Sequence, residues 1–165
     1  MALPDRTSLN GKVIDKALKG DLQLDNKIIQ TLMAINIQEN INKINKEKDQ
    51  GHIVLSDRYM DSNRAYSNTE GKDFMTTIDK LHADTPIPDL CFYIKTDLSE
   101  TKKRTGFGSE IFENIAKQLS VNTFYNSIKR DNWHIIDGNC DTDTITNSIL
   151  HIFYMKCSSF QLRKV

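Results

Sequence analysis

The chain has 165 residues, 22 Lys and Arg against 22 Asp and Glu, and 38% hydrophobic residues. That length predicts one domain over 1–165 with its own core, while zero net charge excludes a whole-molecule electrostatic case for nucleic acid or an anionic membrane. No run is long and apolar enough to span a bilayer, and Cys91, Cys140 and Cys157 lie far apart without a C-x-x-C, which suits a reducing compartment, cytosol or nucleus, better than a disulfide framework or a zinc site.

In chain order, Ser8–Lys19 is predicted as a helix, capped by Ser8 or Asn10 and stopped by Gly20. Asp25–Lys48 is predicted as a long helix with two apolar stripes, Ile28/Leu32/Ile35 and Met33/Ile37/Ile41/Ile44. Two stripes imply two buried faces: one on a sheet and one on a partner subunit, or both in the core. Gly51 ends that helix, and His52–Ser56 reads as a short strand. Leu90–Ile94, introduced by the Pro86-x-Pro88-Asp89 turn, and Trp133–Ile136 read as two more. Helical patterns fill Thr69–Leu81, Ser99–Lys103, Phe112–Lys129 and Asp143–Lys156. Alternating strands and helices predict a parallel α/β sheet with ligands at the carboxyl ends of its strands.

Asp57-Arg58-Tyr59 follows such a strand end. A carboxylate there can hold magnesium through water, and a guanidinium can grip a phosphate bidentately. Taken alone, the same three residues read more simply as an ion pair closing a strand. Ser62, Asn63 and Tyr66 can read and stack a planar base, or form an ordinary polar helix start. In 102–114, three cations precede Gly106-Phe107-Gly108, and Glu110 and Glu113 follow. Glycines beside cations suit a lid over phosphates, or a solvated loop. Arg6 can bind an anion or simply face water. A phosphate-binding G-x-x-x-x-G-K-[ST] occurs nowhere in the 165 residues: around Gly11-Lys12, Arg6 replaces the first glycine and Val13 the hydroxyl.

Taken in order, these motifs resemble thymidylate kinase, especially its eukaryotic and poxviral branch. The resemblance runs through Leu3-Pro4-Asp5-Arg6-Thr7, Gly11-Lys12, Leu32-Met33-Ala34 with Asn36 and Glu39, Asp57-Arg58-Tyr59, Ser62 and Ala65-Tyr66. It continues through Pro88-Asp89-Leu90 and the 103–114 segment to the Trp133 strand. It implies an α/β nucleoside-monophosphate-kinase fold, a parallel sheet with flanking helices, and ATP-dependent phosphorylation of dTMP with Mg2+. It also implies a homodimer through the 25–48 helix. By resemblance, Arg6, Arg58, Ser62, Asn63, Tyr66 and Phe112 face dTMP. Arg58 also faces the transferred phosphoryl group, and Asp57 helps place magnesium. Arg104, Gly106, Phe107, Gly108, Glu110 and Glu113 form the ATP-side lid.

The chain departs from the family in several places. Phe112 stands where a tyrosine is usual, Met33 for a phenylalanine, Ile37 for a base-contacting arginine and Asn63 for a glycine. Family members also begin with a strand, the phosphate loop, a helix and a second strand ahead of Pro-x-Arg. The expectation is therefore a fold lacking its N-terminal strands, because an N-terminal segment lies outside this sequence. The alternative is a non-catalytic relic that binds nucleotide weakly or dimerises.

Overall fold

The elements in chain order are α1 (Leu9–Leu18), α2 (Asn26–Asp49), α3 (Met60–Ser67), α4 (Lys72–Leu81), β1 (Cys91–Lys95), α5 (Leu98–Thr101), α6 (Ile115–Ser127), β2 (Trp133–Asp137) and α7 (Thr142–Gln161). A computed structural model describes residues 1–103, 107–128 and 130–161. The chain gathers into two units, Met1–Pro86 with Gly108–Asn126, and Ile87–Phe107 with Ser127–Val165.

In the first unit, local chemistry sets the helix ends. Ser8 caps α1, its hydroxyl accepting from Gly11 N–H at 3.0 Å. Asp25 caps α2, its carboxylate accepting from Lys27 N–H at 2.8 Å, and Lys46 and Lys48 sit in the last turn where the helix dipole favours cations. Gly20 and Gly51 leave these helices in left-handed conformations that a side chain would strain. Ile14, Ala17, Leu18, Ile29 and Phe112 form the apolar core, with Leu24, Leu32, Met33 and Tyr66 against it.

Of the two predicted stripes on α2, Ile37 and Ile44 are buried and Met33 and Ile41 half-buried, whereas Ile28 and Ile35 remain 49% and 39% exposed. Fully buried polar side chains share the buried side: Gln30 and Asn36 lie on the same helix, both without solvent exposure.

The expected strand at His52–Ser56 does not form. Ile53 and Leu55 are 75% and 79% exposed, and a strand needs a partner for its backbone groups. The backbone partner that this stretch finds is the N-terminal end. Asp57 N–H donates to Met1 O at 2.8 Å, Leu3 N–H to Asp57 O at 2.9 Å, and the Met1 amine to Leu55 O at 2.5 Å. Met60–Ser67, expected only as a polar loop or helix start, is a full helix, so the predicted Thr69–Leu81 helix starts later, at Lys72.

In the second unit, β1 and β2 pair in parallel, Cys91 opposite Trp133 and Lys95 opposite Asp137. This is the parallel α/β arrangement expected from the alternation, here with two strands. Helix α7 packs on β2, and α5 is a single turn.

His82 illustrates how the first unit satisfies its buried polar groups. It is 7% exposed, with Nε2 at 2.9 Å from Asn63 Oδ1 and Nδ1 at 3.3 Å from Thr85 Oγ1. Asn63 Nδ2 in turn donates to Gln30 O and Oε1, both at 3.0 Å, and Gln38 Nε2 donates to Thr85 Oγ1 at 2.7 Å. An Nε2–H tautomer satisfies this network as a neutral ring. Burial, aided by Arg64 and opposed by Asp79 and Asp61, pulls His82 down to about 4. The unfolded chain therefore binds the proton first. Stability from the neutral ring is full above pH 6.5 and is lost as pH falls from 6.5 towards about 4. Urea unfolding should show roughly 2–3 kcal/mol less stability near pH 4 than at pH 7 from this residue, and His82→Gln should flatten that slope.

Gly11 fixes the path of the Arg6 loop. A Cβ there would lie 1.8 Å from the Asp5 carbonyl oxygen and 2.8 Å from Arg6 Cα. Alanine normally stabilises a helix interior by about 1 kcal/mol over glycine. Here backbone blocks it, so Gly11→Ala should destabilise by about 1–3 kcal/mol in chemical denaturation.

Candidate active site

The site residues of the first unit fall into two clusters. The first is built on one face of α3 and the residues leading into it. Arg58, Ser62 and Tyr66 are four residues apart, so a helical path places them in a row. Arg58 has φ 65°, the only left-handed non-glycine among the described residues. That conformation costs about 1–2 kcal/mol. It is held by the Ser56 hydroxyl, which donates to Arg58 O at 2.7 Å. The guanidinium is thereby aimed at Ser62, with Nη1 donating to Oγ at 3.2 Å, and at the Tyr66 ring, 5.8 Å from its centroid. Tyr66 meets Phe112 with ring centroids 5.8 Å apart and planes tilted by 46°.

Three side chains on α6 and its first turn complete this cluster, and none was among the sequence-predicted site residues. Gln118 Nε2 donates both to Tyr66 Oη at 3.1 Å and to Phe112 O at 3.0 Å. It therefore ties the two aromatic residues together, reaching Tyr66 from 52 residues along the chain. Lys117 Nζ lies 5.3 Å over the Phe112 ring, pairs with Glu70 at 3.4 Å, and donates to the Thr69 hydroxyl. Tyr125 interacts with Ser62 and Arg58, and burial pushes its phenol up to about 12, so it stays protonated at neutral pH. Gln118 and Tyr125 are seven residues apart, hence on one helix face. That spacing was the only sequence signal for them.

Asn63 takes an adjacent, buried face of α3. At 3% exposure its amide is committed to Gln30 and His82, as described above. Ile37, at the position of the expected arginine, is 3% exposed and adds apolar surface to the core.

The second cluster centres on Arg6. Its loop is gripped by Asn36, whose Oδ1 accepts from Asp5 N–H at 2.6 Å and whose Nδ2 donates to Ser8 Oγ at 3.0 Å and Asp5 O at 3.3 Å. Arg6 Nη1 pairs with Asp15 and Nη2 with Glu110, each at 2.7 Å. Burial works against the Arg6 charge, but Glu110 and Asp15 outweigh it and hold its pKa above the ordinary value. Asp15 is also bound by Lys19 at 2.7 Å.

The segment from Gly108 to Asn114 touches both clusters, through Glu110 on Arg6 and Phe112 on Tyr66. Ile111 N–H donates to Leu18 O at 2.9 Å, and Phe112 is 7% exposed. Glu113 folds this turn around its carboxylate, which accepts from Gly108 N–H at 2.9 Å, Glu110 N–H at 3.1 Å and Ser109 Oγ at 3.4 Å. Phe107 is half-buried. Arg104 and Gly106 lie outside the described residues. The Asp57 side chain is exposed. The described residues hold no group of three or more His, Cys, Asp or Glu side chains that could bind a metal ion. A magnesium ion held through water by one carboxylate and by nucleotide phosphates needs no such group, so Asp57 beside Arg58 fits that kind of site.

A cation, two aromatic faces and hydroxyl and amide donors together suit a flat base carrying a phosphate. Comparisons with known proteins identify the family. The thymidylate kinase family model matches residues 1–149. A thymidylate kinase of Dictyostelium discoideum is 30% identical over 169 aligned residues, covering 100% of this chain and 74% of that protein. A protein of Invertebrate iridescent virus 6 named as a thymidylate kinase is 33% identical over 147 residues, covering 88% of this chain and 68% of its own length. A solved structure of thymidylate kinase from Candida albicans, described as revealing the origin of broad substrate specificity, has a TM-score of 0.81 at 26% identity over 94% of this chain and 78% of that one. By its ordered motifs, its fold and these matches, the chain belongs to the thymidylate kinase family.

Proposed function

We propose that this chain binds dTMP in its first unit and serves the ATP-dependent phosphorylation of dTMP to dTDP, a step of dTTP supply. The observation that carries this reading is the Arg58–Tyr66–Phe112 row, a cation on a left-handed backbone set over the Tyr66 ring, which in turn meets Phe112. Tyr66 offers its face to thymine. Phe112, without a hydroxyl, offers packing only. Ser62 holds the guanidinium at its nucleotide end, and Arg6 takes the 5′-phosphate. Arg58 spreads its charge over the phosphoryl oxygens as the group transfers, the kind of preorganised contact that dominates phosphoryl-transfer catalysis. Asp57 would hold magnesium through water, and the ion would neutralise charge on the ATP phosphates. Arg104, Gly106, Phe107, Gly108, Glu110 and Glu113 are proposed as the ATP-side lid.

Base selectivity is proposed to be relaxed. Ile37 supplies no planar hydrogen-bond fork, and a site without that fork leaves no buried donor unpaired when a different base binds. A homodimer through α2 is supported by the exposure of Ile28 and Ile35 on a helix otherwise rich in buried side chains. The cytosol, with the nucleus as the alternative, is proposed as the compartment, supported by three cysteines outside any disulfide.

The second reading, a nucleotide-binding or dimerising protein without turnover, is favoured by one fact: no G-x-x-x-x-G-K-[ST] occurs in the 165 residues. That loop supplies the backbone cradle for the β- and γ-phosphates. A coupled ADP-release assay with dTMP separates the two. The 165-residue chain alone should bind dTMP by calorimetry yet show no measurable turnover. Joined to a family-type segment carrying the loop, it should turn over. In that protein Arg58→Ala should lower kcat by about 10²–10³ with a much smaller rise in KM, the mark of a contact made in the transition state. Robust turnover by the 165 residues, indifferent to Arg58→Ala, would overturn the role given to this arginine.

A further inference from the structure

The Arg6 guanidinium already holds two carboxylates. Each terminal nitrogen of the guanidinium holds a different carboxylate at 2.7 Å, Asp15 on one side and Glu110 on the other. A phosphate that grips both terminal nitrogens therefore meets a carboxylate on each, and the two are not equivalent. Asp15 sits on α1 and keeps Lys19 at 2.7 Å if Arg6 is withdrawn. Glu110 forms no second ion pair among the described residues, and it lies in a turn between helices rather than within one. Side-chain exposures of 41% for Arg6 and 26% for Glu110 leave the pair open to exchange with a solute anion. Glu110 is thus the carboxylate that leaves.

Its departure has a mechanical consequence. The same segment carries Phe112 into the core beside Tyr66, hydrogen-bonds Leu18 through Ile111 N–H, and is wound around the Glu113 carboxylate. The Arg6–Glu110 pair is the only ion pair among the described residues that ties this turn to the Arg6 loop.

We propose that Glu110 is an internal occupant of the Arg6 anion position, displaced by the phosphomonoester of the ligand, so that phosphate binding at Arg6 unlatches the turn at 108–112. This rests on the reading of Arg6 as the residue that takes the dTMP phosphate. The occupant makes the site sensitive to charge. A dianionic phosphate can replace a carboxylate on Arg6, whereas an uncharged nucleoside cannot. Partly exposed ion pairs are weak, so the competition is modest: relieving it should tighten dTMP binding by about twofold to fivefold.

The test is calorimetric titration of the wild-type chain and Glu110→Gln with dTMP and with thymidine, together with amide hydrogen exchange across 108–112. Glu110→Gln should bind dTMP about twofold to fivefold more tightly and thymidine unchanged. Exchange at 108–112 should rise in ligand-free Glu110→Gln, and in the wild type on adding dTMP but not thymidine. If the wild type prefers dTMP to thymidine yet Glu110→Gln binds dTMP equally or more weakly, the internal occupant is wrong while the reading of Arg6 stands. Unchanged exchange at 108–112 in both situations also overturns the latch. A wild type that binds dTMP no better than thymidine removes the phosphate role of Arg6, and the proposal with it.

Discussion

A buried amide on α2 sets the terms for the rest of the first unit. Asn36 has no solvent exposure, and its carboxamide takes a backbone N–H from Asp5 and gives hydrogen bonds to the Ser8 hydroxyl and the Asp5 carbonyl. A buried amide left without partners costs about 1–3 kcal/mol, so the loop at Asp5–Ser8 is drawn against α2. Ser8 is also the cap of α1, so the same side chain sets where that helix begins. Gly11 then leaves room for the loop to cross the helix. Arg6 stands at the crest of that crossing.

A second buried amide network works nearly two turns earlier on α2. Gln30 receives Asn63, and Asn63 receives His82, which binds α3 and the end of α4 to the long helix through polar contacts. Fixing Asn63 inward rotates α3 so that Ser62 and Tyr66 point away from that network and meet Arg58. Packing and site are therefore two faces of one helix. The weak helix propensity of an Ile- and Asn-rich α2 is overcome by burial rather than by local preference.

What was legible in the residues follows from this. Ser8, Gly20, Asp25 and Gly51 announced their helices because caps and left-handed exits depend on local chemistry alone. Helix α3 was not legible as a helix, because three of the five positions it buries, Asp61, Asn63 and Ser67, are polar, beside Met60 and Ala65, and apolar periodicity cannot reveal a helix with a largely polar buried side. His52–Ser56 looked like a strand from its apolar residues, but a strand is a property of pairs, and no ladder partner forms beside it among the described residues. Arg58, Tyr66 and Phe112, singled out from ordered motifs, come together in the structure. Lys117, Gln118 and Tyr125 were not singled out, since only long-range contact brings them there. Arg6 stood out as a lone cation near Pro4, but the two carboxylates that pair with it did not.

The two units are interleaved along the chain: Met1–Pro86, then Ile87–Phe107, then a return at Gly108–Asn126, then Ser127 onwards. During synthesis the first unit cannot close its core when Pro86 leaves the ribosome, because Phe112 and Val121 have not yet been made. Ile14, Leu18 and Ile29 wait with an apolar face uncovered, and β1 waits in the same way for β2. Neither unit can be cut out as a contiguous piece, and each closes only through contacts distant in sequence. Such a topology slows folding and prolongs the exposure of sticky intermediates. The nascent chain should depend on chaperones until its last third has emerged, and a nick between the units would leave each of them short of a core segment.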